Sequence, residues 1–237
     1  MIKSERIVGQ YVETAIHEFD HPNIESTISL VSVLHRALPS FYDQVSDYID
    51  DREHGGSIVH VEASGLPDDE ELASYPKWVQ TLAPRIRELV DGVIDEDPEN
   101  GTKSQFESDH HSLNFKDHWE VHDLNAAEVV FRLGRIRSQL LASGIERLMS
   151  RRVNPVSLFI GTLGICALRL SDNVIVGDRN KVAVQAIENV LLQDENQHLT
   201  LMWGAAHTPG IARGILSKKY RHKNTIWLKA DRVNSVH

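Results

Sequence analysis

The chain predicts an α/β protein with a mostly parallel central sheet flanked by helices. Three apolar runs and the helical patterns between them carry that expectation. Thr27 to Leu34 (TISLVSVL), Ser57 to Ala63 (SIVHVEA) and His198 to Trp203 (HLTLMW) are short, nearly continuous and rich in aliphatic side chains. Such runs suit strands buried on both faces, as in a parallel sheet. Strands alternating with helices argue against a sandwich or a bundle.

The first run follows the turn-like His21-Pro22-Asn23, the second follows Gly55-Gly56, and the third runs into Gly204. A helix is expected from Pro39 to Ile49. A second is expected to begin with Pro84 in its first turn, because Ile86, Leu89, Val90 and Val93 recur on one face. The clearest helical pattern runs from about Ala126 to Ser150, with Val129, Leu133, Ile136 and Leu140 stepping along one stripe that Leu141, Ile145 and Leu148 continue. Another spans about Asn173 to Gln193, with Val176, Ala183, Ile187, Val190 and Leu191 inward. Thr225 to Ala230 (TIWLKA) reads as an added edge strand.

The 237 residues, 41% of them hydrophobic, suffice for a real core and are read as a single domain over residues 1–237. Asp95 to His118 interrupts the pattern with seven carboxylates, two lysines, Pro98 and the pair Asn100-Gly101, and reads as a polar loop or lid that includes His110-His111. A formal charge of −9 argues against sequence-independent nucleic-acid binding, which needs cations to neutralise phosphates. The basic group Lys218, Lys219, Arg221, His222 and Lys223 is explained by a helix end that favours cations. The longest apolar stretch, Val156 to Leu168, is too short for the roughly 18–20 residues of a membrane span. The amino-terminal segment lacks an apolar signal core, so a cytoplasmic location is the expectation.

Several chemistries are excluded by missing motifs. There is no Gly-x-Gly-x-x-Gly after a strand, no Walker phosphate loop and no Gly-x-Ser-x-Gly elbow. The single cysteine, Cys166, lies in the apolar run SLFIGTLGICALRL and reads as a small core hydrophobe. His17-Glu18-Phe19-Asp20-His21 matches His-Glu-x-x-His, which on a helix would put two imidazoles on one face with a Glu to polarise a bound water. Pro22 biases His21 away from helical geometry, and Tyr11 to Phe19 also reads as an alternating strand. The metallopeptidase reading therefore ranks below a distributed site.

That site collects polar groups at the ends of the three apolar runs: His35 after the first, Glu62 after the second, His207 just beyond the third. In open α/β sheets, ligands bind outside the carboxyl ends of the strands. Two imidazoles and a carboxylate meeting there would form a shell for a divalent ion such as zinc, manganese, cobalt or iron, with positions open to water. Without a metal, a Glu could orient one His as a general base. Each residue also has a plain role: His35 capping a junction, Glu62 as a solvated loop carboxylate, His207 satisfying backbone groups in a tight turn.

The stretch LMWGAAHTPGIARGILSKKY resembles the carboxyl-terminal Gly-x-x-His block of the TraB/Tiki/GumN-like proteins. VIVGDRNKVAVQAI is similar to that family's Arg-bearing helix, TISLVSVLHRALPSFYDQV to its amino-terminal Gly-x-x-His block, SIVHVEASGL to the following strand with its Glu, and WEVHDL to a later segment that carries an Asp. At the first block Ser32 stands where the family has Gly. The resemblance implies a fold of the erythromycin-esterase-like and ChaN-like (EreA/ChaN-like) type and, for Tiki members, metal-dependent peptide hydrolysis. It implies that His35, Glu62 and His207 surround a metal or an activated water, that Arg179 steadies a developing oxyanion or pairs with Glu62, and that Asp123, Asp178 and Asn180 line the site. A peptidase- or esterase-like hydrolase of a small molecule or peptide is the expected function, and a non-catalytic binding or regulatory protein on the same fold is the alternative.

Overall fold

A computed structural model describes residues 2–62, 65–95, 103–104, 113, 115–149 and 173–232. They fall into two compact units, Met1–Glu62 with Asp97–Asp123 and Asn180–His237, and Ala63–Glu96 with Leu124–Arg179.

The first unit is built on a mixed seven-stranded sheet. Its strands are β1 (Glu5–Val8), β2 (Tyr11–Asp20), β3 (Thr27–Val33), β5 (Ile58–Val61), β7 (Glu120–Val121), β8 (Leu199–Gly204) and β9 (Arg221–Arg232). The three apolar runs become β3, β8 and β5, which lie side by side and parallel, and β7 extends that set beyond β5. The other half of the sheet is antiparallel: β2 pairs with β3, with β9 and with β1. The expectation of a mostly parallel sheet is corrected at this half. Connections of a few residues, such as Gly9-Gln10 between β1 and β2, cannot carry the crossover that a parallel pair requires. Gly9 has φ 61, the left-handed conformation that a tight hairpin link uses. β9 runs along the full length of β2, so β1 and β3 share the opposite edge of β2, one after the other. The expected edge strand at Thr225–Ala230 is thus part of a longer strand.

Helices cover both faces of the parallel strands, as their continuous apolar character requires. On one face Val31, Val33, Val59, Val61 and Met202 pack with Phe41, Tyr42, Val45 and Ile49 of α1 (Pro39–His54). Pro39 opens that helix, where its missing N–H costs nothing. On the other face Ile28, Leu30, Leu199, Leu201 and Trp203 meet Ala183 and Ile187, and also Ile211, Ala212 and Ile215 of the helix that follows β8. A small second sheet pairs β4 (Arg36–Ala37) with β6 (Lys103–Ser104). Most of the expected lid at residues 95–118 lies outside the described residues, as do His110, His111, Cys166 and the run at 156–168. Its end is anchored to α1: Glu53 accepts hydrogen bonds from Lys116 Nζ, from His118 Nε2 at 2.6 Å and from Trp119 Nε1 at 2.9 Å.

The second unit holds α2 (Asp69–Ser74), α3 (Lys77–Asp95), α4 (Ala126–Leu133), α5 (Arg135–Met149) and a π-helical turn at Asn173–Asp178. Side chains of Asp68 and Asn125 accept the N–H groups of Glu71 and Glu128, each at 2.8 Å, and so start α2 and α4. Two sequence expectations change here. Pro84 lies inside α3 rather than in a first turn, because Val79, Leu82, Ala83 and Ile86 bury one continuous stripe. The long helix expected from Ala126 breaks at Gly134, whose φ of 79 and ψ of 158 are open essentially to glycine alone. The break shifts the phase at its start: Ile136, expected inward, is 73% exposed, while Leu141, expected inward, does pack with Val130 and Leu133, joined by Ala142. Gly134→Ala is therefore expected to destabilise the protein by roughly 1–3 kcal/mol in urea unfolding. An unchanged midpoint would show that the kink tolerates an ordinary residue.

α6 (Arg179–Gln193) starts on the last residue of the second unit and otherwise belongs to the first, and α7 (Thr208–Ser217) follows β8. Past α7, Lys218 pairs with Glu188, and Lys219 takes a left-handed φ of 71 before β9 begins.

Candidate functional site

The carboxyl ends of β3, β8 and β5 lie together in the first unit. Glu62 prolongs β5, its N–H donating to the Met202 carbonyl at 3.0 Å. β8 ends at Gly204, one 3-10 turn (Ala205–His207) follows, and Thr208 with Pro209 starts α7. This brief exit brings His207 back towards the strand end it has just left. Gly204 is needed for room: a Cβ there would sit 3.1 Å from Glu62 Oε2 and 3.7 Å from His207 Cδ2. The Gly204 N–H donates to Glu62 Oε2. The other carboxylate oxygen, Oε1, lies 3.4 Å from His207 Nε2. On the far side of the ring, Nδ1 lies 2.8 Å from Asn180 Oδ1, an acceptor, so this nitrogen donates. Asn180 can come this close because Gly210 of α7 has no side chain: a Cβ there would overlap the Asn180 amide nitrogen and lie 2.8 Å from its Cγ.

Glu62 is 9% exposed and His207 4%, so the pair interacts where water screens little. An imidazole fixed at one nitrogen with a carboxylate facing the other can accept a proton at Nε2 and have the resulting charge balanced in place. Ser32, where the resemblance expects Gly, is buried beside this junction. Its Oγ lies 2.7 Å from Thr208 Oγ1 and ties the end of β3 to the start of α7.

His35 sits in an exposed bend between β3 and β4, and its donor atoms do not join those of Glu62 and His207 in a group within 4.8 Å. The pair itself is committed to Gly204 and Asn180. Asp178 pairs with Arg132 at 3.4 Å within the second unit. Arg179 is half-buried at the start of α6, and Asp123 is half-buried in the bend after β7.

His17-Glu18-Phe19-Asp20-His21 lies on β2, not on a helix. Strand alternation sends His17 and Glu18 to opposite faces, so the Glu cannot serve a metal held by the histidines. His17 Nε2 donates to the Lys3 carbonyl at 2.9 Å, while Glu18 accepts from Arg52 and from Tyr48 Oη at 3.0 Å. The metallopeptidase reading is corrected on this ground.

A second cluster was not anticipated. His60 and Glu120 are register partners on the parallel strands β5 and β7, and His122 lies two residues past Glu120. Alternation puts all three on one face. His60 Nε2 is 3.3 Å from Glu120 Oε2, and His122 Nε2 is 2.9 Å from the same oxygen. The donor atoms all lie within 4.8 Å of one another, so the three residues can hold a metal ion. The signal was present in VHVE and WEVH, where His and Glu two apart share a strand face, but nothing in the sequence pairs the two segments in register.

Burial, with a smaller push from His122 and an opposing pull from Glu120, lowers the His60 pKa from 6.5 to about 4. Burial also lowers that of His17, against the Lys3 carbonyl hydrogen bond, which raises it. The unfolded chain binds protons on these rings at a pH where the folded chain does not. Their contribution is complete above about 6.5 and is lost as pH falls towards the folded values. For His60 the loss between pH 7 and 5 is roughly 2 kcal/mol, at about 1.4 kcal/mol per pH unit below 6.5. Urea midpoints across that range check it, and His60→Gln should flatten the slope.

No family model, curated protein or solved structure matches this chain.

Proposed function

We propose that the protein is a hydrolase in which His207 and Glu62 activate water against an ester or amide. The observation that carries this reading is the imidazole held between Asn180 Oδ1 and Glu62 Oε1 at the carboxyl ends of parallel strands. A water within reach of both His207 Nε2 and Glu62 Oε1 would give its proton to Nε2 as its oxygen attacks the carbonyl carbon. Glu62 would balance the imidazolium, which then returns the proton to the departing alcohol or amine. No step is assigned to a metal at this pair, and the metal-dependent form that the resemblance implies is not carried over to it.

The near-complete burial of both side chains favours a second reading, a non-catalytic ligand-binding module in which the pair rigidifies the junction of β8 and α7. Turnover separates the two. The full chain, tested on short-chain p-nitrophenyl esters and on a fluorogenic peptide library, is expected to hydrolyse at least one class, and Glu62→Gln is expected to remove that activity. Turnover that persists in Glu62→Gln, or no turnover on any substrate, would contradict the hydrolase.

A further inference from the structure

We propose that His60, Glu120 and His122 form a binding site for a divalent transition-metal ion of the zinc or iron class at the β5–β7 edge of the sheet. The site is separate in its residues from the water-activating pair and stands whether or not that reading does. Two imidazoles and one carboxylate are a recurrent set for such ions, with further positions left to water. Donors in a tetrahedral zinc shell with bonds of about 2.0–2.1 Å stand roughly 3.3 Å apart. The Glu120 oxygen lies 3.3 Å from His60 Nε2 and 2.9 Å from His122 Nε2, close to that spacing before any ion draws them in.

His60 supplies the independent observation. It is wholly buried, and neither ring nitrogen has a hydrogen-bond partner. Buried polar groups are almost always satisfied, so an orphaned imidazole whose Nε2 faces a carboxylate and a second imidazole points to a missing partner. A cation accepted at Nε2 would satisfy that nitrogen and neutralise Glu120. Access is open, since Glu120 is exposed and His122 half-buried, on a strand that pairs among the described residues only with β5. With only two residues in β7, an ion bridging the two strands would also hold this short edge in place.

Zn2+ alone, titrated into the full chain by calorimetry, is expected to bind at one tight site and to raise the melting temperature. Co2+ at the same site should give the visible absorption of a low-symmetry, imidazole-containing shell. Glu120→Gln and His122→Ala, both at accessible positions, should each weaken Zn2+ binding at least about tenfold and remove the Co2+ band. His222→Ala and Glu62→Gln should leave both unchanged. No tight Zn2+ binding, or tight binding that survives Glu120→Gln and His122→Ala, would overturn the proposal.

Discussion

Glu62→Gln is expected to lower kcat/KM for ester or amide hydrolysis by about 10²–10⁴-fold, the usual worth of positioned acid–base catalysis. The substitution is nearly isosteric. The amide oxygen can still accept the Gly204 N–H, so the end of β5 keeps its attachment to the end of β8. What disappears is the negative charge 3.4 Å from His207 Nε2, and with it the balance for a ring that takes up a proton during the reaction. The loss should therefore fall mainly on kcat, and the urea midpoint should move little. A variant that unfolds would show that the pair serves stability first. A folded variant with full turnover would remove Glu62 from the chemistry.

Gly210→Ala is expected to lower activity by more than it lowers stability. Ala stabilises a helix by up to about 1 kcal/mol over Gly, and by less in the first turn, where Gly210 stands. Here the new methyl would collide with the Asn180 amide. The whole Asn180 amide, Cγ included, must turn away, and the buried His207 N–H it leaves costs about 1–3 kcal/mol, so the fold should lose about 1 kcal/mol once the helix gain is counted. The rotation takes Oδ1 from His207 Nδ1, and the ring loses the bond that fixes its direction. Misplacement of a catalytic group by about 1 Å can cost 10²-fold, and a loss of that order is expected. Steady-state kinetics and thermal melts on the same preparation check both halves. An active Gly210→Ala would show that the orientation of His207 does not depend on Asn180.

The strands of the parallel half were legible because burial on both faces leaves continuous aliphatic runs, and β3, β5 and β8 fall where TISLVSV, SIVHV and LTLMW predict them. β2 was harder to read. Its two histidines imitate a helical motif, and only the alternation from Tyr11 to Phe19 and the constraint of Pro22 spoke for a strand. Ile136 misled because hydrophobic spacing carries no mark of a left-handed glycine, and Gly134 resets the helical phase between Leu133 and Arg135. In the site, Glu62, His207 and Asn180 come together from three distant segments, and each ends or begins a strongly patterned element. His35 lies two residues past β3, in an exposed bend before the short β4 pairing, and the apolar pattern that marks β3 carries no information about how that bend turns. His60 was passed over because one imidazole inside an apolar strand reads as core until its register partner is known.

The orientation of the His207 ring tests the account most directly. A long-range nitrogen–proton NMR spectrum of the full chain distinguishes its two nitrogens, with assignment by His207→Gln. The arrangement predicts a proton on Nδ1 near neutral pH, held by Asn180, and a change in that signal in Asn180→Ala. A neutral ring protonated only at Nε2, insensitive to Asn180, would contradict it and leave Glu62 and His207 without a common task.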